Sequence, residues 1–281
     1  MPELPEVETI AKGLRQTIVG KKVKEVQAIF PGIVKQNVDL FKKVVVQRKI
    51  KGVRRRAKYL LMDLSGGKTI LVHLGMTGNL LFTHKSGNRS AGQIDSHDKH
   101  DHLIFRFCGS PSLLCYNDQR KFGKIKVFDT SDEKNIPELR KLGPEALEVT
   151  VSGFASILRR RKGRIKSVLL NQQVIAGLGN IYADESLFEA KIHPTRKADE
   201  LSEIELARLR KAVRGILQKA IRAGGSSVDN YLNIDGRMGE FQLQHKVYGR
   251  EGERCKRCGA KIKRIKINQR SSYFCPRCQP L

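Results

Sequence analysis

The chain contains no tryptophan, and aromatic residues make up only 6% of its 281 positions. It lacks any apolar run of the ~18–20 residues that a membrane-spanning helix requires. Its first residues, Met-Pro-Glu-Leu-Pro-Glu, lack the basic and apolar regions of a signal peptide. Acidic residues are scarce, with 28 Asp and Glu against 54 Lys and Arg. These absences argue against a secreted or integral membrane protein and favour a cytoplasmic one.

The scarcity of acids leaves a net charge of +26, which calls for a polyanionic partner. Nucleic acid is favoured, because neutralising its phosphates releases counterions and drives binding. An anionic membrane surface, a ribosome-associated role and a merely soluble basic surface are the alternatives. Hydrophobic residues make up 40% of the chain, which is enough to bury cores and excludes a disordered polycation.

Six cysteines are present, and four of them form two C-x-x-C pairs near the C-terminus. Cys255 and Cys258 are followed, after sixteen residues, by Cys275 and Cys278. This spacing is typical of a four-cysteine zinc site, which predicts one structural zinc ion. Two disulfides are the alternative, but they conflict with a cytoplasmic location. Cys108 and Cys115 lie in apolar, strand-like runs and are predicted to be buried thiols.

The hydrophobic pattern divides the chain into a β-rich first half and a helical second half. Apolar residues at helical spacing from Val7 to Ile18 predict a first helix that ends at Gly20. Five apolar runs then predict the strands of an antiparallel sandwich: Lys43–Gln47, Lys58–Leu64, Thr69–Leu74, Leu103–Phe107 and Lys124–Phe128. The polar segment Thr83–Lys99 is predicted to be an exposed loop.

In the second half, apolar residues at helical spacing from Leu206 to Ala220 predict a helix that ends at Gly224-Gly225. The last 37 residues are too few to form a core unaided, so zinc would hold them together. We expect a β-domain over 1–135, a linker over 136–152, a helical domain over 153–240 and a zinc module over 245–281.

Three basic clusters lie on three different modules, at Arg48–Lys58, Arg159–Lys166 and Arg254–Lys266. Any one could be a solvated face, but together they favour a shared binding surface. Lys58 borders an apolar strand, so its ammonium is expected to be partly desolvated. Gly177-Leu-Gly179 before Asn180 is either a plain turn or, next to the second cluster, a phosphate-binding helix start.

The N-terminus offers an unusual nucleophile. If Met1 is removed, Pro2 carries a free secondary amine, with Glu3 and Glu6 beside it as acid/base candidates. If Met1 stays, the same nitrogen is an amide and cannot attack. The competing interpretation, which the residues alone favour, is that Pro2 and Pro5 only shape a helix start.

Seven motifs, in order along nearly the whole chain, together resemble the formamidopyrimidine-DNA glycosylases. They are Pro2–Thr9, Arg56–Leu60, His73–Gly78, Lys99–His102, Asp118–Gly123, Gly177–Ala183 and the finger sequence Gln269–Gln279. Lys121 departs from the pattern, since many members have a second arginine there, and lysine loses the bidentate geometry.

The resemblance implies an α+β multidomain fold. Its parts would be an N-terminal β-sandwich with a leading helix, a helix-two-turns-helix domain and a C-terminal zinc-finger hairpin. It implies base-excision repair by a bifunctional glycosylase and AP lyase that removes 8-oxoguanine and formamidopyrimidines. The expected partner is double-stranded DNA that contains oxidised bases, and no membrane partner is expected. The protein would be a monomer in the bacterial cytoplasm, associated with the nucleoid through DNA binding.

The resemblance also assigns roles to residues. Pro2 would attack the sugar, Glu3 would assist ring opening, Lys58 would act in β-elimination and Arg270 in δ-elimination. DNA contacts would come from His100, Arg120, Arg161, Lys166 and Asn180, with Arg160 or Lys162 as alternatives to Arg161. Met76, Arg120 and Phe122 would fill the gap left by the flipped base, and Ser226–Phe241 would be a mobile loop over the lesion.

Three other classes stay open. The endonuclease VIII-type branch prefers oxidised pyrimidines, but it typically has glycine where this chain has Leu4. A non-catalytic DNA-binding protein would leave the joint presence of Pro2, Glu3, Lys58 and Arg270 unexplained. A zinc-ribbon ribosomal factor would explain the charge and the cysteines but not the N-terminal motif.

Overall fold

The structure, a computed structural model, describes residues 2–83, 98–228 and 230–281. Residues 84–97, most of the segment predicted to be an exposed loop, lie outside the described residues, as do Met1 and Asp229. The chain forms two compact units, Met1–Arg140 with Gly224–Glu240, and Lys141–Ala223 with Phe241–Leu281. Within the described ranges, no helix has the length and apolarity needed to cross a bilayer.

The first unit contains two four-stranded antiparallel sheets that share one hydrophobic core. In spatial order, the first sheet consists of β1 (Val23–Ala28), β6 (Asp101–Phe107), β7 (Ser110–Asp118) and β5 (Gly78–Thr83). The second consists of β2 (Ile50–Arg56), β3 (Tyr59–Leu64), β4 (Lys68–His73) and β8 (Lys124–Asp129). The predicted antiparallel sandwich is confirmed.

Helix α1 (Leu4–Thr17) closes one side of this core. Val7, Ile10 and Leu14 are fully buried at helical spacing, and burial of such side chains contributes about 1.5–3 kcal/mol each. The helix contacts β2 and β3. The chain turns away at Gly20, whose φ of 89° suits glycine. The predicted first helix is therefore present.

The strand predicted at Lys43–Gln47 is wrong. Its residues begin in helix α2 (Val38–Val45) and continue past its end. The Asn37 side chain caps this helix by accepting the Leu40 N–H at 2.9 Å, and Phe41 and Val45, four residues apart, are buried. The consecutive valines favour a strand locally, but the cap and the buried helical face outweigh that preference.

The burial predicted for Cys108 is also wrong, whereas Cys115 is buried in β7. Cys108 follows the last residue of β6, where Phe107 points into the core. Cys108 and Gly109, which has a φ of 66°, form the tight turn between β6 and β7, and turns of this kind lie at the surface.

Four helices and a hairpin build the second unit, after the short helix α3 (Pro137–Arg140). The helices are α4 (Val151–Arg159), α5 (Ile165–Leu170), α6 (Asn180–Glu189) and α7 (Glu203–Arg222), and the hairpin is β9 (Lys263–Ile267) with β10 (Arg270–Phe274). Ser202 caps α7 by accepting the Glu205 N–H. α6 is buried on all sides from Ile181 to Phe188, as expected of a central helix.

Candidate functional site

The N-terminus of α1 places Pro2 and Glu3 in buried positions, and Glu3 is only 3% exposed. Glu6 fixes this helix start with both carboxylate oxygens. Oε2 accepts the Glu3 N–H at 2.7 Å, and Oε1 accepts the Ser226 N–H at 2.8 Å. Glu6, an acid/base candidate from the sequence, therefore ties main-chain groups together. Glu3 remains as the acid adjacent to Pro2.

The segment predicted to be a mobile loop, Ser226–Phe241, is held at several points in the first unit. Gly225 has a φ of 86°, and a Cβ there would come within 3.0 Å of Glu6, so this approach requires glycine. Further along, the Asn79 side chain accepts the Leu232 N–H at 2.9 Å. These contacts attach the segment to α1 through Glu6 and to β5 through Asn79. Its mobility stays a prediction.

Lys58 lies in the tight turn between β2 and β3, where Ala57 has a φ of 52°. It is 5% exposed, which confirms the predicted desolvation. The adjacent strand β4 ends at His73, whose pKa falls to about 4, first through burial and then through the positive charges of Lys58 and Lys124. His73 begins the motif His73–Gly78, but no role was assigned to it from the sequence. The structure adds it to the surroundings of Lys58.

The three residues expected to fill the gap left by a flipped base lie together. Met76 and Phe122 line one cavity of about 290 Å³ and are 40% and 52% exposed. The Arg120 guanidinium lies 4.7 Å from the centre of the Phe122 ring. Gly75 permits this arrangement, because a Cβ there would come within 2.7 Å of the Phe122 main chain.

A buried carboxylate, Asp118, organises the loop that carries these residues. It accepts the Thr77 hydroxyl at 2.6 Å and the Gly123 N–H at 2.8 Å, and its own N–H donates to the His100 carbonyl at 2.9 Å. Lys121 occupies a left-handed conformation, with a φ of 59°. Asp118 was assigned no role from the sequence, although its place in a motif before Gly123 was the available signal.

In the second unit, Arg160, Arg161 and Lys162 are exposed and line the same depression of about 450 Å³, together with Asn268. Arg159 is instead paired with Glu203. The three alternatives for this DNA contact therefore share one surface.

Lys166 and Asn180 are less accessible than the sequence suggested. Lys166 is fully buried and forms an ion pair with Asp184 at 2.7 Å. The Asn180 side-chain amide donates to the Ser271 carbonyl at 3.0 Å. The Lys166 ammonium is bound inside the unit and is not exposed to solvent. A phosphate contact, as predicted for Lys166, would require an exposed ammonium.

Arg270 lies at the exposed end of the β9–β10 hairpin. The two turn residues before it, Asn268 and Gln269, have φ values of 46° and 63°, as a two-residue hairpin turn requires. The Asn268 side chain donates to the Ser167 hydroxyl at 3.0 Å and attaches the turn to α5.

The four C-terminal cysteines form the site for one zinc ion. Their sulfur atoms all lie within 4.8 Å of one another, with 3.9 Å between Cys255 and Cys278 and 3.4 Å between Cys258 and Cys275. Four thiolates at about 2.3 Å from zinc are separated by about 3.8 Å, so the donor set fits. All four positions are occupied by protein ligands, which makes the site structural.

Known proteins match the chain along its length. Residues 1–125 match the family described as formamidopyrimidine-DNA glycosylase N-terminal domain, residues 142–231 its H2TH domain, and residues 252–281 the zinc finger found in FPG and IleRS. The formamidopyrimidine-DNA glycosylase of Pediococcus pentosaceus is 43% identical over 283 residues, covering 100% of both chains. That of Pelotomaculum thermopropionicum is 42% identical over 282 residues, covering 99% of both.

The chain belongs to the formamidopyrimidine-DNA glycosylase family. Among solved structures, the Lactococcus lactis Fpg in complex with DNA containing an abasic site has a TM-score of 0.90 and 37% identity, over 100% of both chains. MutM in complex with DNA containing carbocyclic 8-oxo-G has a TM-score of 0.88 and 38% identity, again over 100% of both chains. The expected fold class of this glycosylase family is confirmed.

Proposed function

We propose that the chain is a bifunctional DNA glycosylase and AP lyase of base-excision repair that removes 8-oxoguanine and formamidopyrimidines. The arrangement at the start of α1 carries this proposal: Pro2 and Glu3 are adjacent and buried, and Glu6 fixes the main chain around them. A helix start without chemistry does not require a buried carboxylate beside the terminal proline, because burying an acid has a free-energy cost. The names of the relatives support the same activity.

In the proposed reaction, the Pro2 amine attacks the sugar C1′ and the glycosidic bond breaks, with its electron pair leaving on the damaged base. The attached Pro2 nitrogen then loses its proton to solvent, Glu3 protonates the ring oxygen, and the nitrogen electron pair opens the sugar to an iminium. The iminium acidifies the adjacent C–H, so loss of that proton expels the 3′ phosphate. We assign Lys58 as the proton donor of this β-elimination, and its burial suits proton transfer.

The second elimination is assigned to Arg270. Loss of the C4′ proton is accompanied by cleavage of the C5′–O bond, with the electron pair leaving on the 5′ phosphate. A guanidinium is suited to stabilise this developing phosphate charge. The zinc ion supplies no step and holds the hairpin on which Arg270 lies.

DNA recognition is proposed to use exposed groups of both units. Met76, Arg120 and Phe122 would occupy the gap left by the extruded nucleotide, since wedge side chains of this kind stabilise a kinked duplex. His100 and Arg161 would contact the backbone, and Asn180 and Lys166 are retained as proposed contacts. We also propose the division 1–135, 136–152, 153–240 and 245–281, and a monomeric state.

Covalent trapping tests the nucleophile. The protein, with its N-terminus verified as Pro2, is treated with borohydride on an 8-oxoguanine:C duplex, and the adduct is located by peptide mass mapping. We expect the adduct on Pro2. Pro2→Gly should greatly slow base excision and leave duplex binding nearly intact. Pro5→Ala is the matched control, because it alters the same helix start without touching the amine, and it should still form the adduct.

Other results would point to other functions. Normal excision by Pro2→Gly would contradict the nucleophile assignment. Binding without any adduct, on both 8-oxoguanine and oxidised-pyrimidine duplexes, would identify a non-catalytic DNA-binding protein. An adduct formed on thymine glycol opposite A in preference to 8-oxoguanine would place the chain with the endonuclease VIII-type activity.

A further inference from the structure

Helix α6 carries two adjacent buried acids, Asp184 and Glu185, each 1% exposed. Glu185 accepts the main-chain N–H groups of Lys246, Val247 and Tyr248 at 2.9–3.0 Å. Removing a carboxylate from water is strongly destabilising unless hydrogen bonds or a counter-ion compensate it. Glu185 obtains this compensation from three amides at the entry to the zinc module.

Asp184 is compensated differently, by one amide and one buried cation. Its Oδ2 accepts the Tyr273 N–H at 2.9 Å, and its Oδ1 lies 2.7 Å from the Lys166 ammonium. Both side chains of this ion pair are 0% exposed. Burial raises the pKa of Asp184, and the positive charge of Lys166 opposes that rise.

The ion pair acts directly on strand β10. Lys166 Nζ donates to the Ser271 carbonyl at 2.8 Å, and Asp184 binds the amide two residues further along. In the hairpin β10 pairs with β9. The Ser271 carbonyl and the Tyr273 amide are bonded instead to Lys166 of α5 and Asp184 of α6. Lys166 and Asp184 therefore satisfy the outer edge of β10 as a third strand would.

The held carbonyl is one residue from Arg270. A two-stranded hairpin is only marginally stable by itself, so the position of its exposed end depends on what holds it. Arg270 is the next residue along the strand, about 3.3 Å away, so a shift of the Ser271 carbonyl displaces Arg270 as well.

We propose that Lys166 and Asp184 are positioning residues that hold the edge of β10 and so place Arg270 for the second elimination. This inference rests on the proposed function, in which Arg270 stabilises the departing 5′ phosphate. The pair itself gains and loses no proton in the reaction. Its effect is confined to δ-elimination, because base excision and β-elimination are assigned to residues of the other unit.

Two variants separate positioning from stability. Asp184→Asn keeps the size and an acceptor for Tyr273 but leaves Lys166 buried without its carboxylate. The double variant Lys166→Met with Asp184→Leu removes both charges. Replacing a buried pair by apolar residues of similar volume is often neutral or stabilising, so this variant should fold, yet it cannot hold Ser271 or Tyr273. Glu189→Gln is the matched control. Glu189 lies on the same helix, α6, and the substitution removes its exposed ion pair with Arg257.

The experiment follows single-turnover cleavage of an abasic-site duplex. β-elimination leaves an unsaturated aldehyde at the 3′ end and δ-elimination leaves a 3′ phosphate, which a denaturing gel resolves. We expect both variants to lower the ratio of δ to β product by about 10- to 100-fold, as a displacement of about 1 Å can do. The borohydride-trapped adduct, the β-elimination rate and the zinc content of Asp184→Asn should match the wild type. The double variant also loses the DNA contact proposed for Lys166, so it is compared by its product ratio alone, at saturating enzyme. Glu189→Gln should leave the product ratio unchanged.

Each contrary outcome is distinct. An unchanged product ratio in both variants would overturn the positioning role and leave the proposed function intact. A second outcome would also overturn the positioning role: a normal ratio of δ to β product in the double variant, with a lowered ratio in Asp184→Asn. It would show that the carboxylate of Asp184 only compensates the buried charge of Lys166. A wild-type protein that traps no adduct and yields neither product would contradict the proposed function, and the positioning role would fall with it.

Discussion

At the residue scale, the proposed chemistry depends on charged groups that have been removed from water. Lys58 is buried at the turn before β3, and Glu3 is buried beside Pro2. The apolar strand that follows Lys58 predicted its desolvation, and Glu3 was a candidate acid through its place beside Pro2. The roles of both residues came from the resemblance to the glycosylase family. Sequence position could not indicate His73, which reaches the surroundings of Lys58 only through the pairing of β3 with β4.

The pKa of His73 gives a direct test at this scale. We expect a value of about 4 by NMR titration of labelled histidine, because burial and the charges of Lys58 and Lys124 disfavour the imidazolium. Lys58→Met should raise this pKa more than Lys124→Met, and neither should restore the usual 6.5, since burial is the largest cause. A wild-type value near 6.5 would contradict the described surroundings.

The sign of the linked stability follows from the same pKa. Between the unfolded value of 6.5 and the folded value of about 4, the unfolded chain binds a proton that the folded chain does not. Stability should therefore fall as the pH is lowered through this range, by up to about 3 kcal/mol for His73. Urea denaturation of wild type and His73→Gln at pH 7 and pH 5 should detect about 2 kcal/mol of this loss in the wild type, and the variant should lose less.

At the scale of elements, the zinc module has little core of its own. Its buried cluster, Val247, Cys255, Ile262 and Cys275, is completed by Phe188 of α6. Metal ligation supplies much of the folding free energy of such small modules. The C-x-x-C spacing predicted the metal because each pair is local in sequence. The attachment of β10 to α6 involves residues about ninety positions apart and left no such signal.

Removal of zinc tests this dependence. With the metal extracted by a chelator under reducing conditions, we expect the main-chain amides of β9 and β10 to lose their protection from hydrogen exchange and to regain it when zinc is restored. Helix α1 and the two sheets of the first unit carry none of the four zinc-binding cysteines, so their amides should keep their protection from hydrogen exchange. A hairpin equally protected without zinc would show that Lys166 and Asp184 suffice to hold it.

At the scale of the whole molecule, the net charge of +26 should control binding to DNA. Each phosphate neutralised by a basic side chain releases a counterion, so affinity falls steeply with salt. On the Pro2→Gly variant, we expect duplex affinity to fall by at least about 10³ between ~50 and ~200 mM salt, measured by fluorescence anisotropy. Arg161→Gln should reduce the salt slope by about one. A flat dependence would contradict binding through the exposed basic residues.

Composition, cysteine spacing and hydrophobic period determined, without any structure, the basic character, the zinc ligands, the sandwich and helix α7. Each of these signals is contained in a short stretch of chain. The helix at Val38–Val45 was missed because its cap and buried face outweighed local composition, and the exposure of Cys108 was missed because the strand ends one residue before it, at a turn. Only the tertiary structure joined Glu6 to Ser226 and Lys166 to Asp184 and Ser271. Such contacts depend on how distant segments pack, and no local pattern encodes them.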